Sequence, residues 1–167
     1  MIADLDRTDF VARFGGIYEH SSWVAETCFD KGLHKDAETP SDLAGPFARI
    51  VESAGHEPQL ILLRAHPDLA GKLARGGGLT ADSTSEQASA GLDQCTEAEF
   101  EEFTRLNTAY REKFGFPYIL AVRGRHRTEI LENFRKRVPN DPGTEFREAL
   151  NQVHQIAKLR LDALGGA

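Results

Sequence analysis

Between Leu60 and Gln87 the sequence reads LILLRAHPDLAGKLARGGGLTADSTSEQ, and it holds two side chains suited to moving protons, His66 and Glu86. An imidazole with an ordinary pKa of about 6.5 exchanges protons near neutrality. A carboxylate beside it fixes its tautomer and raises its basicity. Proline disfavours the helical conformation at the residue before it, so the apolar run Leu60–Leu63 should stop at His66-Pro67-Asp68, with His66 at a helix end facing a cleft. The connection from Arg75 to Gly78 is long enough to fold back and bring the second polar cluster to the first. We read His66 and Glu86 as meeting across that cleft.

Each residue also has a plainer reading. His66 can cap the end of its helix, bonding free carbonyls and complementing the dipole. Ser83-x-x-Glu86 matches a capping box, in which Glu86 bonds back to the backbone of Ser83. A helix start carrying serine, threonine and glutamine is in addition an anion-binding site. Arg160 is flanked by Leu159 and Leu161, with Ile156 one turn earlier. It is either an arginine that snorkels to the surface or a fork for a carboxylate. Other histidines are weaker candidates: His20 and His34 fall in polar connections, His56 and His126 beside turns, and His154 on the surface or rim of the last helix. No HExxH helix and no Cys/His cluster is present, so no metal site is expected. GxSxG, GxxxxGK[ST] and a strand–helix GxGxxG are also missing, and Gly76-Gly77-Gly78 reads as a flexible connection.

The elements that must position these groups read as helices almost throughout. Thr8 opens a first helix with Phe10, Val11, Phe14 and Ile17 on one face, and Ser21 or Ser22 opens a second that Gly32 closes. Thr39-Pro40-Ser41 begins a third, with Leu43, Phe47, Ile50 and Val51 at the 3.6-residue period. Pro58 starts a fourth that runs to His66, and Asp82–Glu86 start a fifth reaching Ala90. Thr96-Glu97-Ala98-Glu99 is a capping box for a helix with Phe100, Phe103, Leu106 and Tyr110 inside, stopped at Gly115. Ile130, Leu131 and Phe134 mark the next helix, and Asp141-Pro142 cap the last and longest, ended by Gly165-Gly166. Tyr118-Ile119-Leu120-Ala121-Val122 has strand propensity, but no second strand exists to pair with it. We therefore expect an extended, buried segment near 116–122 whose backbone groups find partners outside a sheet, a candidate wall of a polar ligand site. The fold class is all-α, in a single compact multi-helix domain over residues 1–167.

At 167 residues the chain suits one core. A net charge of −6 argues against a nucleic-acid protein, which usually shows a basic face. No apolar run approaches a membrane span, and MIADLDRTDF lacks the basic and apolar regions of a signal peptide. Cys28 and Cys95 stand apart, which fits reduced thiols in the cytoplasm. The C-terminal Gly165-Gly166-Ala167 is no peroxisomal address.

Four blocks in order, RAHPDLAGKLA from Arg64, LTADSTSEQ from Leu79, KFGFPYILAVRGR from Lys113 and QIAKLRL from Gln155, resemble the OHCU decarboxylases. These act on 2-oxo-4-hydroxy-4-carboxy-5-ureidoimidazoline (OHCU) in urate degradation. FGGIYEHSSWVAE from Phe14 extends the likeness over nearly the whole chain. The resemblance implies an all-helical, cofactor-independent enzyme, commonly a homodimer, that releases CO2 from OHCU to give (S)-allantoin. It implies that His66 is the catalytic histidine, Glu86 its acidic partner, and Ser83 and Gln87 substrate contacts, with Pro67 in the same pocket. The main chain from Tyr118 through Ile119, Leu120 and Ala121 to Val122 falls where that family touches substrate. Arg160 matches an arginine of the last helix. Tyr118 departs from an expected phenylalanine, which leaves a backbone role intact. Without the resemblance, two other classes stay open: a helical partner-binding module, and a metal-dependent hydrolase using His66, Glu86 and a further histidine.

Overall fold

The computed structural model describes residues 1–71 and 77–166. Arg75 and Gly76 of the expected glycine connection, and Ala167 at the C-terminus, lie outside the described residues. Eight α-helices are present among the described residues: α1 Arg7–Phe14, α2 Trp23–Asp30, α3 Ala44–Ser53, α4 His56–Arg64, α5 Ala81–Ser89, α6 Glu97–Phe114, α7 Arg127–Arg137 and α8 Pro142–Leu164. Short 3₁₀ turns at Ile2–Asp4, Pro40–Leu43 and Leu92–Gln94 complete the regular structure, with no strand among the described residues. The all-α expectation holds. None of the described helices is long and apolar enough to cross a membrane.

Most caps fall where the pattern put them. Thr96 and Glu99 exchange both bonds of the capping box, at 3.0 and 3.1 Å. Asp141 holds the Thr144 amide at 2.9 Å and opens α8. Three starts differ. Asp6, not Thr8, caps α1 by accepting from the Asp9 amide at 2.8 Å, because a carboxylate gains from the helix dipole as well as the hydrogen bond. Helix α4 begins at His56, after Gly55 at φ 91°, two residues before Pro58, which falls in its first turn. Helix α5 begins at Ala81, and its start bears directly on the site. Ile17 lies beyond α1, which stops at Phe14, but is buried nonetheless.

The chain forms two compact units, Met1–Ala65 with Val153–Ala167, and His66–Gln152. In the first, Phe10, Phe14, Phe47 and Val51 are fully or almost fully buried. His34 is buried there too, stacked on Phe29 with ring centroids 4.4 Å apart, rather than sitting in a polar connection. His154 joins Tyr18 and Glu52: Nδ1 is 2.8 Å from the Tyr18 hydroxyl and Nε2 is 2.9 Å from Glu52 Oε1. Burial pushes the Cys28 thiol up to about 11, so it stays protonated, and neither cysteine is in a disulfide. In the second unit, α6 and α7 pack through Phe103 and Phe134, and α8 contributes Glu145, Ala149 and Gln152.

Candidate active site

His66 follows the C-terminus of α4, where Ala65 closes the last turn by bonding to Ile61 and Leu62 at 3.1 and 3.3 Å. The chain leaves the helix at His66-Pro67, as the proline requires. The imidazole is only 6% exposed. Beyond it, Pro67-Asp68-Leu69-Ala70 makes a tight turn in which Ala70 takes a φ of 51°. An L-residue pays steric strain there, so the turn must be held by its surroundings.

Helix α5 supplies that hold. Thr80 caps it, its hydroxyl accepting from the Ser83 amide at 3.3 Å. Ser83 therefore lies inside the first turn and Glu86 in the second, so they are not the first and last members of a capping box. Ser83, Gln87 and Ala90 are buried along one face, and Glu86 is half-buried beside them. Gln87 is the link to the histidine turn: Nε2 donates to the Asp68 carbonyl at 3.2 Å and Oε1 accepts from the Ala70 amide at 3.0 Å. Helix α6 adds two more ties. Asn107 donates to the Leu69 carbonyl at 3.0 Å, and Arg111 donates to Asp68 at 2.8 Å. The Arg111 pair is part-exposed and is worth under about 1 kcal/mol. The buried amide bonds matter more, because breaking one leaves a desolvated backbone group unpaired.

Gln87→Ala strands the Ala70 amide and the Asp68 carbonyl together. We expect it to cost about 1–3 kcal/mol per stranded group, read as a lower urea midpoint at unchanged slope. Wild-type stability in that variant would remove Gln87 from any part in holding the turn.

Residues 116–122 are all buried, and beyond the bend at Phe116 they run without helix, turn or strand pairing, as the sequence predicts. Within 118–122, the Ile119 carbonyl accepts from Arg137 Nη1 at 2.6 Å, the Ala121 amide donates to Gln152 Oε1 at 2.9 Å, and the Val122 carbonyl accepts from the Arg125 amide at 2.9 Å. Among the described residues, no hydrogen bond reaches the N–H of Ile119, Leu120 or Val122. Buried backbone donors are nearly always satisfied, so three within the four residues 119–122 mark a place that a polar ligand or water completes. The Tyr118 ring is packed flat on Phe134, centroids 3.8 Å apart, and its hydroxyl donates to Asn133 at 2.5 Å. The extra oxygen relative to phenylalanine thus has its own acceptor, and burial pushes its pKa upward.

His66, Pro67, Ser83, Glu86, Gln87 and Tyr118–Val122 all belong to the unit His66–Gln152. Arg160 belongs to the other unit, and it does not snorkel. It is 4% exposed, its Nη2 lies 2.7 Å from Glu19 Oε2, and Nη1 donates to the Gly16 and Ile17 carbonyls at 3.3 and 3.4 Å. Sequence reading missed Asn107, Arg137, Glu145 and Gln152. A signal for Asn107 was present: it stands between Phe103 and Tyr110 at helical spacing, a polar residue on a core face. Arg137 likewise follows Ile130 and Phe134 on the buried face of α7.

A model of the OHCU decarboxylase family matches residues 3–162. Among curated relatives, the chain is 45% identical over 157 residues to the 2-oxo-4-hydroxy-4-carboxy-5-ureidoimidazoline decarboxylase of Haloferax volcanii, covering 94% of this chain and 89% of that one. The enzyme of the same name from Halalkalicoccus jeotgali is 39% identical over 166 residues, covering 98% and 90%. Among solved structures, an (S)-allantoin synthase superposes with a TM-score of 0.76 at 37% identity. That match covers 97% of this chain, which spans about half (52%) of the synthase chain.

Proposed function

From the premise that this chain belongs to the OHCU decarboxylase family, we propose that it is a carboxy-lyase that converts OHCU to (S)-allantoin and CO2 in urate degradation. His66 acts as the general acid/base, oriented by Glu86. The observation that carries this reading is the pair of Gln87 bonds, which tie the helix bearing Glu86 to the turn directly after a buried His66.

The chemistry asks for little beyond positioned protons. The bond from the ring carbon to the carboxylate breaks, and its electron pair moves into the ring toward the adjacent C=N. CO2 departs, leaving an enol. The enol returns to a carbonyl by giving up its hydroxyl proton, while the ureido-bearing carbon takes a proton on one face. The imine nitrogen accepts the electron pair and takes up a proton from solvent, so the reaction as we read it is cofactor-independent and uses no metal. His66 delivers the stereospecific proton, and Glu86 holds its tautomer, a contribution of about 10²–10⁴-fold in such proton transfers. Pro67 shapes the pocket beside it. Ser83, Gln87 and the main chain of Tyr118, Ile119, Leu120, Ala121 and Val122 read the ureido and ring carbonyl groups. The unpartnered N–H groups of Ile119, Leu120 and Val122 suit the carbonyl oxygens of such a substrate. The resemblance matches Arg160 to an arginine of the last helix, and within its own unit that guanidinium is held by Glu19. The enzyme works in the cytoplasm as a homodimer.

The test generates OHCU from urate with the preceding enzymes and follows its loss together with the circular dichroism of (S)-allantoin. The purified protein should accelerate both, equally before and after EDTA treatment. Activity that disappears on chelation and returns with metal favours a metal-dependent hydrolase instead. No acceleration of either signal overturns the assignment.

A further inference from the structure

The extended segment 118–122 is held from behind by side chains that no resemblance assigned. Arg137 Nη1 donates to the Ile119 carbonyl at 2.6 Å, and Gln152 Oε1 accepts from the Ala121 amide at 2.9 Å. These fix one carbonyl and one amide on either side of Leu120. Arg137 is itself locked. Its Nε and Nη2 each lie 2.9 Å from Glu145 Oε2, and its guanidinium sits over the Tyr118 ring at 4.7 Å. Glu145 is wholly buried and takes two further bonds, from the Tyr110 hydroxyl at 2.5 Å and from Asn140 at 2.9 Å. Burial, the largest single influence, lowers the Arg137 pKa, but the Glu145 carboxylate together with Tyr110 and Tyr118 outweighs it and the net shift is upward. Gln152 is fixed too, its Nε2 donating to Glu148 at 2.7 Å.

A buried ion pair is weak as a source of stability, because desolvation cancels most of the attraction, so its retention calls for another reason. Here the reason is orientation: a planar fork joins a carboxylate on one side to a backbone carbonyl on the other. We propose that Arg137, set by Glu145, and Gln152 are positioning residues for substrate recognition. They hold the main chain so that the N–H groups of Ile119, Leu120 and Val122 stay aligned for the ureido and ring carbonyl oxygens. This rests on the decarboxylase reading above. Since those contacts form equally in the bound substrate and the transition state, their loss raises KM and leaves kcat nearly unchanged.

The experiment compares Arg137→Met/Glu145→Gln, Arg137→Lys and Gln152→Leu with wild type in the OHCU assay, alongside thermal melting. The double variant leaves no buried charge unpaired and keeps an acceptor for Tyr110, which protects the fold. Its KM should rise about 10–10²-fold with kcat within about threefold, since each tenfold is one well-made hydrogen bond. Gln152→Leu should raise KM about tenfold, and Arg137→Lys, which keeps one donor, should fall between wild type and the double variant. A purely structural role lowers the active fraction, hence kcat, and leaves KM alone. A KM change under tenfold in every folded variant, with wild type active, overturns the positioning role while the function stands. If the double variant fails to fold, Gln152→Leu decides the matter by the same threshold. A wild-type protein inert toward OHCU sinks both readings together.

Discussion

Replacing His66 with asparagine should cut kcat by about 10²–10⁴-fold while the protein still folds. Asparagine fits the buried position and keeps hydrogen-bonding capacity, but it cannot carry a proton between donor and acceptor near neutral pH. The helix-cap reading of His66 predicts the reverse, a lower melting temperature with the rate retained. The two outcomes separate in one preparation measured both ways. Glu86→Ala should follow in the same direction with a smaller loss, about tenfold or more, because the imidazole survives but its orientation does not. Its half-buried place in the second turn of α5 leaves it no capping duty, so the fold should tolerate the change. Wild-type rates in both variants would leave the proposed proton transfer without a carrier.

A large stability effect should also come from the first unit. The side chains of Arg160 and Glu19 are 3% and 2% exposed and face each other at 2.7 Å. Glu19→Ala leaves a buried guanidinium without its counter-charge, at a cost of about 3–5 kcal/mol. For a chain of this length that corresponds to a fall in Tm on the order of 10 °C. Removing both charges in Glu19→Leu/Arg160→Met should restore most of the loss, because an apolar pair of similar volume escapes the desolvation penalty. A Glu19→Ala protein that melts with wild type would show that the Gly16 and Ile17 carbonyls satisfy Arg160 by themselves.

Much of this was readable before any coordinates. Helical spacing of apolar residues located most of the described helices, because burying one face per 3.6 residues is a local demand on composition. The extended segment at 118–122 was readable for the same reason: β-branched and large apolar residues in a row, after Gly115 and Pro117, cannot amphipathically continue a helix. The stop at His66-Pro67 followed from proline sterics alone. Helix starts were less secure, since several neighbouring side chains compete for the same amide. Asp6 displaced Thr8, and Thr80 displaced the cluster around Ser83. That last shift moved Glu86 from a capping role into the second turn, a difference of three residues that changed its chemical meaning.

Local sequence, then, determined the helices, the break that presents His66, and the strand-like run that finds no sheet, since each depends on sterics and periodicity within a few residues. What tertiary structure alone decided is who satisfies whom over long separations. Gln87 reaches the backbone of Asp68 and Ala70, Asn107 reaches Leu69, Arg137 and Gln152 reach the 118–122 segment, and Glu19 reaches Arg160. A polar side chain does not encode its partner. Which carbonyl or carboxylate it meets is set when desolvation leaves it no water to bond, and that happens only once distant segments have packed.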